Sequence, residues 1–323
     1  MNEQIDPQAL SAQLAGLRNS LNDIVLGQQE VIEQVLTALL AGGHVLLEGV
    51  PGLGKTLLVR ALAASFQGEF RRIQFTPDLM PADITGHAIY NMGDGSFRIR
   101  RGPVFTHLLL ADEVNRASAK TQSALLEVMQ EKQVTIEGET HTLQSPFMVL
   151  ATQNPIEQEG TYPLPEAQLD RFLMKIVMDY PDIEQEAEIT RQVTDGDTEA
   201  KMSAEGAAGL LTTGQVDALR AQVRDITVDA EIVNYAVRLT RATRNHPGIR
   251  VGASPRASIG LVQAARASAM LRGASFVVPD DIKRMTLPLL RHRVMLTADA
   301  EIDGHTQDTI LEAIVKETDA PRQ

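Results

Sequence analysis

Short apolar runs recur along the first half of the chain and predict the strands of a buried sheet. The clearest runs are Val45–Leu47, Leu108–Ala111 and Phe147–Ala151, and residues 71–75 and 172–177 also favour strands. Parallel strands that helices cover on both faces have continuous apolar stretches, whereas half-exposed strands alternate. The pattern therefore predicts a parallel sheet inside an α/β unit.

Between these runs, apolar residues recur at helical spacing. Near the start of the chain, four leucines follow one another in steps of three or four residues: Leu10, Leu14, Leu17 and Leu21. This spacing predicts an amphipathic helix. A second helix is expected over residues 29–40, leading into the first strand, and a third over residues 56–64.

Beyond the turn at Thr194–Thr198, the pattern is helical to the end of the chain. One predicted helix begins at Pro255, where proline suits the first helical position, and ends before Gly273. We therefore expect two domains, an α/β domain over residues 1–195 and a helical domain over residues 196–323.

Two segments of the α/β domain carry the signal of a β-hairpin. Asn91–Gly95 contains Asp-Gly between two β-prone runs, and Glu137–Glu139 contains a glycine between two others. The first hairpin belongs to a long interruption, residues 76–101. A loop of that length inside a compact α/β unit is usually functional.

The residues after the first predicted strand carry the most specific chemical signal. Gly49, Gly54, Lys55 and Thr56 fit the pattern G-x-x-x-x-G-K-T. Its glycines let backbone N–H groups point at phosphate oxygens, and the next helix directs its positive end at the same anion. Lys55 is expected to reach the β- and γ-phosphates of a bound nucleotide, and the Thr56 hydroxyl to bind Mg²⁺. The predicted nucleotide-binding residues of this P-loop are Gly49, Val50, Pro51, Gly52, Leu53, Gly54, Lys55, Thr56 and Leu57.

An apolar loop over residues 23–28 precedes the P-loop unit. Its position is suited to contact the nucleotide base, and Val25, Gly27 and Gln28 are the candidate contact residues. Simple packing explains the same pattern equally well, so both interpretations stay open.

Two adjacent carboxylates, Asp112 and Glu113, end the strand predicted at residues 108–111. In P-loop NTPases the first acid at this place helps to hold Mg²⁺. The second can orient and deprotonate an attacking water molecule. The short run alone is a weak signal, but downstream of Lys55 in a strand-alternating chain it becomes a strong one.

Three further polar residues are candidates for phosphate chemistry. Asn154 follows a buried strand, so it is expected at the ligand-binding edge of the sheet, although an ordinary Asn-Pro turn explains it too. Arg171 precedes the last strand, and Arg256 stands at the start of a helix. From residue type alone, Arg171 is also compatible with a surface salt-bridge residue, and Arg256 is more often an ordinary surface arginine.

The composition narrows the class of protein. The 323 residues carry a net charge of −12 and no cysteine, which excludes disulfides and cysteine-bound zinc. None of the seven histidines lies three or four residues from another, so no histidine metal site is expected. The acidic balance disfavours nucleic acid as a partner, because phosphate contacts need a basic surface.

No segment predicts a membrane span or a targeting signal. The chain has no run of about 18 apolar residues, the length that a spanning helix needs. Residues 1–7 lack the basic start and apolar core of a signal peptide. We therefore expect a cytoplasmic protein.

The order of these motifs resembles that of AAA+ ATPases, with a Walker A P-loop followed by Walker B at Asp112-Glu113. In that resemblance Asn154 corresponds to sensor 1, Arg171 to the arginine finger and Arg256 to sensor 2. The amino-acid sequence of the motifs is similar to that of the MoxR family over roughly residues 20–296. The segments that carry this similarity are residues 49–56, 111–117, 151–172, 252–257 and 279–293.

The resemblance implies a P-loop AAA+ core with a five-stranded parallel sheet, two β-hairpin inserts and an all-helical lid. The hairpins, at about 86–101 and 132–146, would line the pore of a homo-hexamer. Arg171 would act on a neighbour's nucleotide, with no partner in its own chain. Family members are chaperone-like ATPases that work with von Willebrand factor A (VWA) domain proteins on client proteins, several in metal insertion or enzyme maturation. ATP and Mg²⁺ are the implied ligands.

Three other functions compete with this interpretation. A nucleic-acid motor of the helicase type shares such inserts, but the acidic charge and the lack of an appended DNA-binding module disfavour it. A GTP-binding switch would also need a P-loop, yet no Asn-Lys-x-Asp guanine motif occurs. A nucleotide-bound scaffold without turnover fits poorly with Glu113 and Arg171 both present.

Overall fold

The computed structural model describes the chain in five stretches: residues 7–50, 52–93, 95–153, 162–195 and 210–321. Two predicted site residues, Pro51 and Asn154, lie outside the described residues, as does the start of the predicted second domain at residue 196.

Strands and helices alternate in the first part of the chain, and helices dominate the last part. The strands are β1 Val45–Glu48, β2 Phe70–Gln74, β3 Gly86–Asn91, β4 Ser96–Arg101, β5 Leu108–Asp112, β6 Gln133–Ile136, β7 Glu139–Thr142, β8 Met148–Gln153, β9 Met174–Val177, β10 Ile249–Val251 and β11 Met295–Leu296. The helices are α1 Pro7–Ile24, α2 Gln29–Ala41, α3 Lys55–Ser65, α4 Pro81–Thr85, α5 Ala119–Glu131, α6 Glu166–Leu169, α7 Ile183–Thr194, α8 Thr213–Val223, α9 Ala230–Asn245, α10 Pro255–Leu271, α11 Pro279–Leu290, α12 Ala298–Ile302 and α13 Gln307–Glu317.

The five predicted core strands form one parallel sheet in the order β2-β5-β8-β1-β9. The predicted α/β core with a five-stranded parallel sheet is therefore confirmed. Parallel strands place all their carboxyl ends at one edge, where ligands bind in such sheets. The register aligns Glu48 with Gln153, and Gln74 with Asp112, at that edge.

The last core strand begins later than its apolar pattern predicts. Residues 172 and 173 precede β9, which starts at Met174. They belong to a turn in which the Arg171 amide donates to Gln168 O and the Phe172 amide to Leu169 O. Phe172 is nonetheless 1% exposed, so its apolar character reflects burial and not strand pairing.

Alternating side chains of β1, β5 and β8 enter two apolar clusters, one on each face of the sheet. Val45 and Leu47 of β1 pack in the cluster that contains α1, α2, α3 and the C-terminal helices. Leu46 packs in the other cluster, which contains α5 and β6. All three are fully buried. Burial of each such side chain contributes about 1.5–3 kcal/mol, which is why continuous apolar runs specify these strands.

Both predicted hairpins are present. β3 pairs with β4 from Gly86↔Arg101 to Asn91↔Ser96, and β6 pairs with β7. The first hairpin exposes large apolar side chains near its tip, Met92 at 92% and Phe97 at 72%.

The C-terminal part is helical and adds one short antiparallel pair, β10 with β11. Its buried side chains join the same apolar cluster as the strands and α2, so the lid and the core pack as one body on that face. Across the described ranges, none of the helices combines the length and hydropathy that a membrane span needs.

Candidate functional site

The P-loop curves between β1 and α3 because its glycines allow it. Gly52 and Gly54 have positive φ angles of 92° and 82°, which side chains rarely adopt. A Cβ atom on Gly49 would lie 2.8 Å from Met178 O, so this position also needs glycine. α3 begins at Lys55, and its first backbone N–H groups have no helical partner. The loop therefore presents a concave set of donors suited to an anion.

Lys55 places a cation in this loop. Its Nζ donates to Gly49 O at 2.6 Å, across the turn. Burial lowers the pKa of Lys55, and the charges of Asp112, Glu113 and Glu48 act in the opposite direction. The P-loop cation and the two predicted acids thus share one electrostatic environment at the carboxyl edge of the sheet.

Asp112, at the end of β5, is held by neighbours on both sides. Its Oδ1 accepts a hydrogen bond from Thr152 Oγ1 at 2.6 Å. Its Oδ2 accepts two from Arg72, from Nε at 2.9 Å and from Nη2 at 2.6 Å. The carboxylate is oriented at the edge of the sheet, and one of its oxygens is neutralised by a cation.

Glu113 adopts the left-handed conformation, with φ 56° and ψ 51°, which is uncommon for a residue other than glycine. Its backbone N–H donates to Thr152 Oγ1 at 2.8 Å, which fixes this turn. Its Oε2 accepts from Gln74 Nε2 at 2.6 Å and pairs with Arg116 Nε at 3.0 Å. The predicted base is therefore held by two partners beside Asp112.

Sequence reasoning missed the residues that hold these acids: Arg72, Gln74, Arg116 and Thr152. Arg72 and Gln74 lie on β2, whose pairing with β5 places Gln74 opposite Asp112. Once that pairing is known, polar residues at the carboxyl ends of adjacent strands become the signal that identifies them.

The residues at this edge of the sheet are compatible with a Mg²⁺ site that has few protein ligands. No cluster of three or more His, Cys, Asp or Glu side chains suited to a metal occurs among the residues that the structure describes. Mg²⁺ is usually held by one or two carboxylates together with substrate phosphates. Asp112 and the hydroxyl of Thr56, on the first turn of α3, are a donor set of that kind.

A cavity of about 470 Å³ lies beside the P-loop. Val25 and Gln28, two of the candidate base-contact residues, line it together with Leu53 and Leu57 of the P-loop segment. Gln28 Nε2 donates to Asp179 O at 2.9 Å. Tyr180, Pro181 and α7 line the opposite side, which the sequence did not indicate. The cavity is largely apolar, as a pocket for a nucleotide base usually is.

Gly27 stands beside this cavity and does not line it. Its φ is 75°, and a Cβ atom there would lie 2.7 Å from Gln185 Oε1. Gly27 therefore allows the loop to approach α7 closely and is a structural residue of the pocket.

Arg171 and Arg256 line a different cavity, of about 450 Å³. Gly43 and His44, which precede β1, line it too. The P-loop follows β1, and four strand residues at about 3.3 Å each separate the two edges by roughly 13 Å. Arg256 thus lies beside Arg171, away from the P-loop of its own chain.

The start of α10 explains where Arg256 lies. Ser254 precedes the helix at the N-cap position, but its side chain makes no capping hydrogen bond. Its hydroxyl instead donates to Asp170 Oδ2 at 3.4 Å, and Arg256 Nη1 lies 3.7 Å from the same oxygen. Asp170 therefore docks the start of α10 against the turn that carries Arg171.

Arg171 has a partner in its own chain, contrary to prediction. Its Nη1 donates to Leu126 O of α5 at 2.8 Å. That bond uses one of five N–H donors of the guanidinium. The side chain of Arg256 is 55% exposed. Two cations are thus presented in one cavity, at the edge opposite the P-loop.

Comparison with known proteins gives a consistent set of relatives. The model of the ATPase family associated with various cellular activities (AAA) matches residues 44–174, and the AAA lid domain model matches residues 241–314. The chain is 44% identical to Chaperone MoxR1 of Mycobacterium tuberculosis, over 98% of this chain and 85% of that protein. It is 34% identical to Protein MoxR of Methylorubrum extorquens, over 84% of each.

A solved structure agrees with this set. The crystal structure of a candidate ATPase from Cytophaga hutchinsonii superposes with a TM-score of 0.90. The two chains are 42% identical, and the match covers 98% of this chain and 97% of the other.

Proposed function

The chain belongs to the MoxR family of AAA+ ATPases, and we propose that it is a Mg²⁺-dependent enzyme that hydrolyses ATP in an oligomeric ring to remodel or activate protein partners. The observation that carries this proposal is the shared edge of the sheet. There the P-loop with Lys55 meets Asp112 and Glu113, and an apolar cavity adjoins the loop.

Each residue of this edge has a separate task. The backbone N–H groups of the P-loop and of the start of α3 hold the phosphates, and Lys55 supplies the cation. Asp112 and Thr56 would hold Mg²⁺, which would neutralise charge on the phosphate oxygens. Glu113 accepts the proton of the attacking water, and Thr152 keeps the backbone of Glu113 in place.

Glu113 is engaged by Gln74 and Arg116, and Asp112 by Arg72. These contacts hold both carboxylates in place at the edge of the sheet, so the side chain of Glu113 is oriented before the attacking water binds.

Arg171 and Arg256 act on the nucleotide of a neighbouring subunit in this proposal. Their cavity lies at the edge opposite their own P-loop, so neither serves the nucleotide of its own chain. A homo-hexamer places this edge against the next subunit's nucleotide. Cations at that interface stabilise negative charge that develops on the transferred phosphoryl group. Asn154 is proposed to position the water or bind the γ-phosphate.

The client is proposed to be a protein, engaged with the help of a VWA-domain partner. The β3–β4 hairpin supports this, because Met92, Phe97 and Tyr90 expose apolar surface that a polypeptide can bind. A Glu113→Gln variant loaded with ATP should retain clients for identification. Recovery of the same proteins with Lys55→Ala would contradict nucleotide-dependent engagement.

Replacing Lys55 with alanine is expected to abolish ATP binding, because only backbone donors would remain for the β- and γ-phosphates. Isothermal titration calorimetry measures the affinity directly. Lys283→Ala, a lid lysine that pairs with Asp280, is the matched control and should bind ATP normally. Unchanged affinity in Lys55→Ala would show that the nucleotide binds elsewhere.

Replacing Arg256 with alanine is expected to lower kcat about 10²-fold, the effect of losing one donor to developing charge. ATP affinity should stay near that of the wild type, because Arg256 lies away from the P-loop of its own chain. Steady-state kinetics and calorimetry separate the two. Arg284→Ala, an exposed lid arginine, should change neither, and a kcat for Arg256→Ala equal to that of this control would remove Arg256 from the site.

A further inference from the structure

The turn between α6 and β9, residues 170–173, carries the proposed finger Arg171, and a guanidinium of the lid binds three of its carbonyl groups. Arg293 follows α11, and its side chain is 4% exposed. Its Nη2 donates to Phe172 O at 2.7 Å and to Asp170 O at 3.4 Å, and its Nη1 donates to Leu173 O at 3.0 Å. Three carbonyl groups of one turn thus converge on one side chain.

The remaining donors of Arg293 are also used. Its Nε donates to Asp170 Oδ1 at 2.6 Å, and Nη1 donates a second bond to Leu289 O. A guanidinium has five N–H donors, and five acceptors surround this one. Arg293 is therefore saturated and buried, so it cannot itself contact a phosphate.

Asp170 connects this buried cation to Arg256, the other arginine that is proposed to act on the neighbouring subunit. Its Oδ1 faces Arg293, while its Oδ2 faces Ser254 and Arg256 at the start of α10. A carboxylate has enough lone pairs to serve both sides. The positions of Arg171 and Arg256 therefore depend on the same ion pair.

Neighbouring residues of the lid reinforce the turn. His292 Nε2 lies 3.1 Å from Phe172 O, and Arg291 Nη1 donates to Lys175 O at 3.4 Å. Burial and the adjacent Arg293 lower the pKa of His292 well below its usual value, so the ring is neutral and donates through Nε2. Three consecutive lid residues thus form hydrogen bonds with backbone carbonyl groups between Asp170 and Lys175.

We propose that Arg293 is a positioning residue for the two arginines that serve the neighbouring subunit. Its guanidinium holds the 170–173 turn, which carries Arg171. Its partner Asp170 holds the start of α10, which carries Arg256. The inference rests on the proposed function, since it concerns residues that act across a subunit interface. It predicts that the lid sets the geometry of the finger.

Arg293→Lys tests this role because lysine keeps the charge but not the planar fork. A small misplacement of a catalytic group lowers the rate by up to about 10²-fold. We expect kcat to fall about 10- to 100-fold, while KM and the calorimetric ATP affinity stay within about twofold of wild type. The matched control is Arg272→Lys, whose guanidinium pairs with buried Asp281 of the same lid, away from the turn. Its kcat should match the wild type.

Mixing variants separates this role from simple loss of stability. Arg293→Lys keeps its own P-loop, and Lys55→Ala keeps both arginines and Arg293. In mixed rings, the arginines of a Lys55→Ala subunit should act on the nucleotide bound by an Arg293→Lys neighbour. Activity per Arg293→Lys subunit should therefore rise several-fold. Wild-type kcat in Arg293→Lys, or normal ATP binding without rescue on mixing, would overturn the proposal.

The same design distinguishes failure of the positioning role from failure of the proposed function. Rescue of Arg171→Ala by Lys55→Ala, without rescue of Arg293→Lys, leaves the shared site intact and rejects Arg293 as its positioner. Rescue of neither rejects the shared site itself. If Arg293→Lys does not bind ATP, Asp170→Asn, which breaks the same ion pair from the other side, replaces it in the mixture and is judged by the same outcomes.

Discussion

Arg171→Ala is expected to lower kcat for ATP hydrolysis by roughly 10³–10⁵, the contribution of an arginine finger in NTPases. The guanidinium lines a cavity at the edge of the sheet opposite the P-loop, and one of its N–H groups donates to Leu126 O. Its remaining donors can face the phosphate of an adjacent subunit. Removing it deletes charge stabilisation that exists only when the phosphoryl group is being transferred.

ATP affinity should be nearly unchanged in Arg171→Ala, because the P-loop of the same chain is intact. Single-turnover kinetics measure the loss of rate, and calorimetry measures the affinity. Arg284→Ala again serves as the control, because it removes an arginine that lies outside the proposed site. A parallel loss of affinity and rate in Arg171→Ala would place Arg171 in the nucleotide site of its own chain.

Glu113→Gln is expected to lower hydrolysis about 10²–10⁴-fold, the usual contribution of a general base. The amide keeps the shape of the side chain and a hydrogen-bonding oxygen for Gln74 or Arg116, but it cannot accept the proton of water. ATP should still bind, because Lys55 and the P-loop are unaffected. The variant should therefore accumulate in the ATP-bound form.

Rapid-quench measurement of phosphate release, with filter binding of ATP, tests this expectation. Glu312→Gln, an exposed acid on α13, is the matched control and should hydrolyse ATP at the wild-type rate. Turnover of Glu113→Gln within a few-fold of wild type would assign the base to another residue.

The core strands and the P-loop could be predicted because their signals are local. Val45–Leu47 is continuous and apolar since both faces of β1 are buried, and the glycines of the P-loop are required by positive φ angles and by Met178 O. The hairpins were equally local, each marked by a glycine-containing turn between β-prone runs.

The support of the acids could not be predicted, because strand pairing is not local. Gln74 and Glu113 are thirty-nine residues apart in the sequence, and they meet only because β2 lies next to β5. Thr152 reaches Asp112 only because β8 is the other neighbour of β5. Nothing in the residues around Gln74 or Thr152 indicates which strand each will meet.

The position of Arg256 depends on how the lid docks, which the sequence pattern leaves open. Pro255 correctly marked the start of α10, yet a helix start does not reveal which edge of the sheet it approaches. Asp170 and Arg293 decide that, through contacts between residues more than eighty positions apart. The role of Asn154 stays a prediction.

Mixing Arg171→Ala with Lys55→Ala is the most direct test of the central claim, that two subunits share each catalytic site. Each variant alone should be nearly inactive. In mixed rings, the Arg171 of a Lys55→Ala subunit should serve the intact P-loop of an Arg171→Ala neighbour, so activity should return. Absence of any return, in mixtures that assemble into rings as the wild type does, would contradict the shared site.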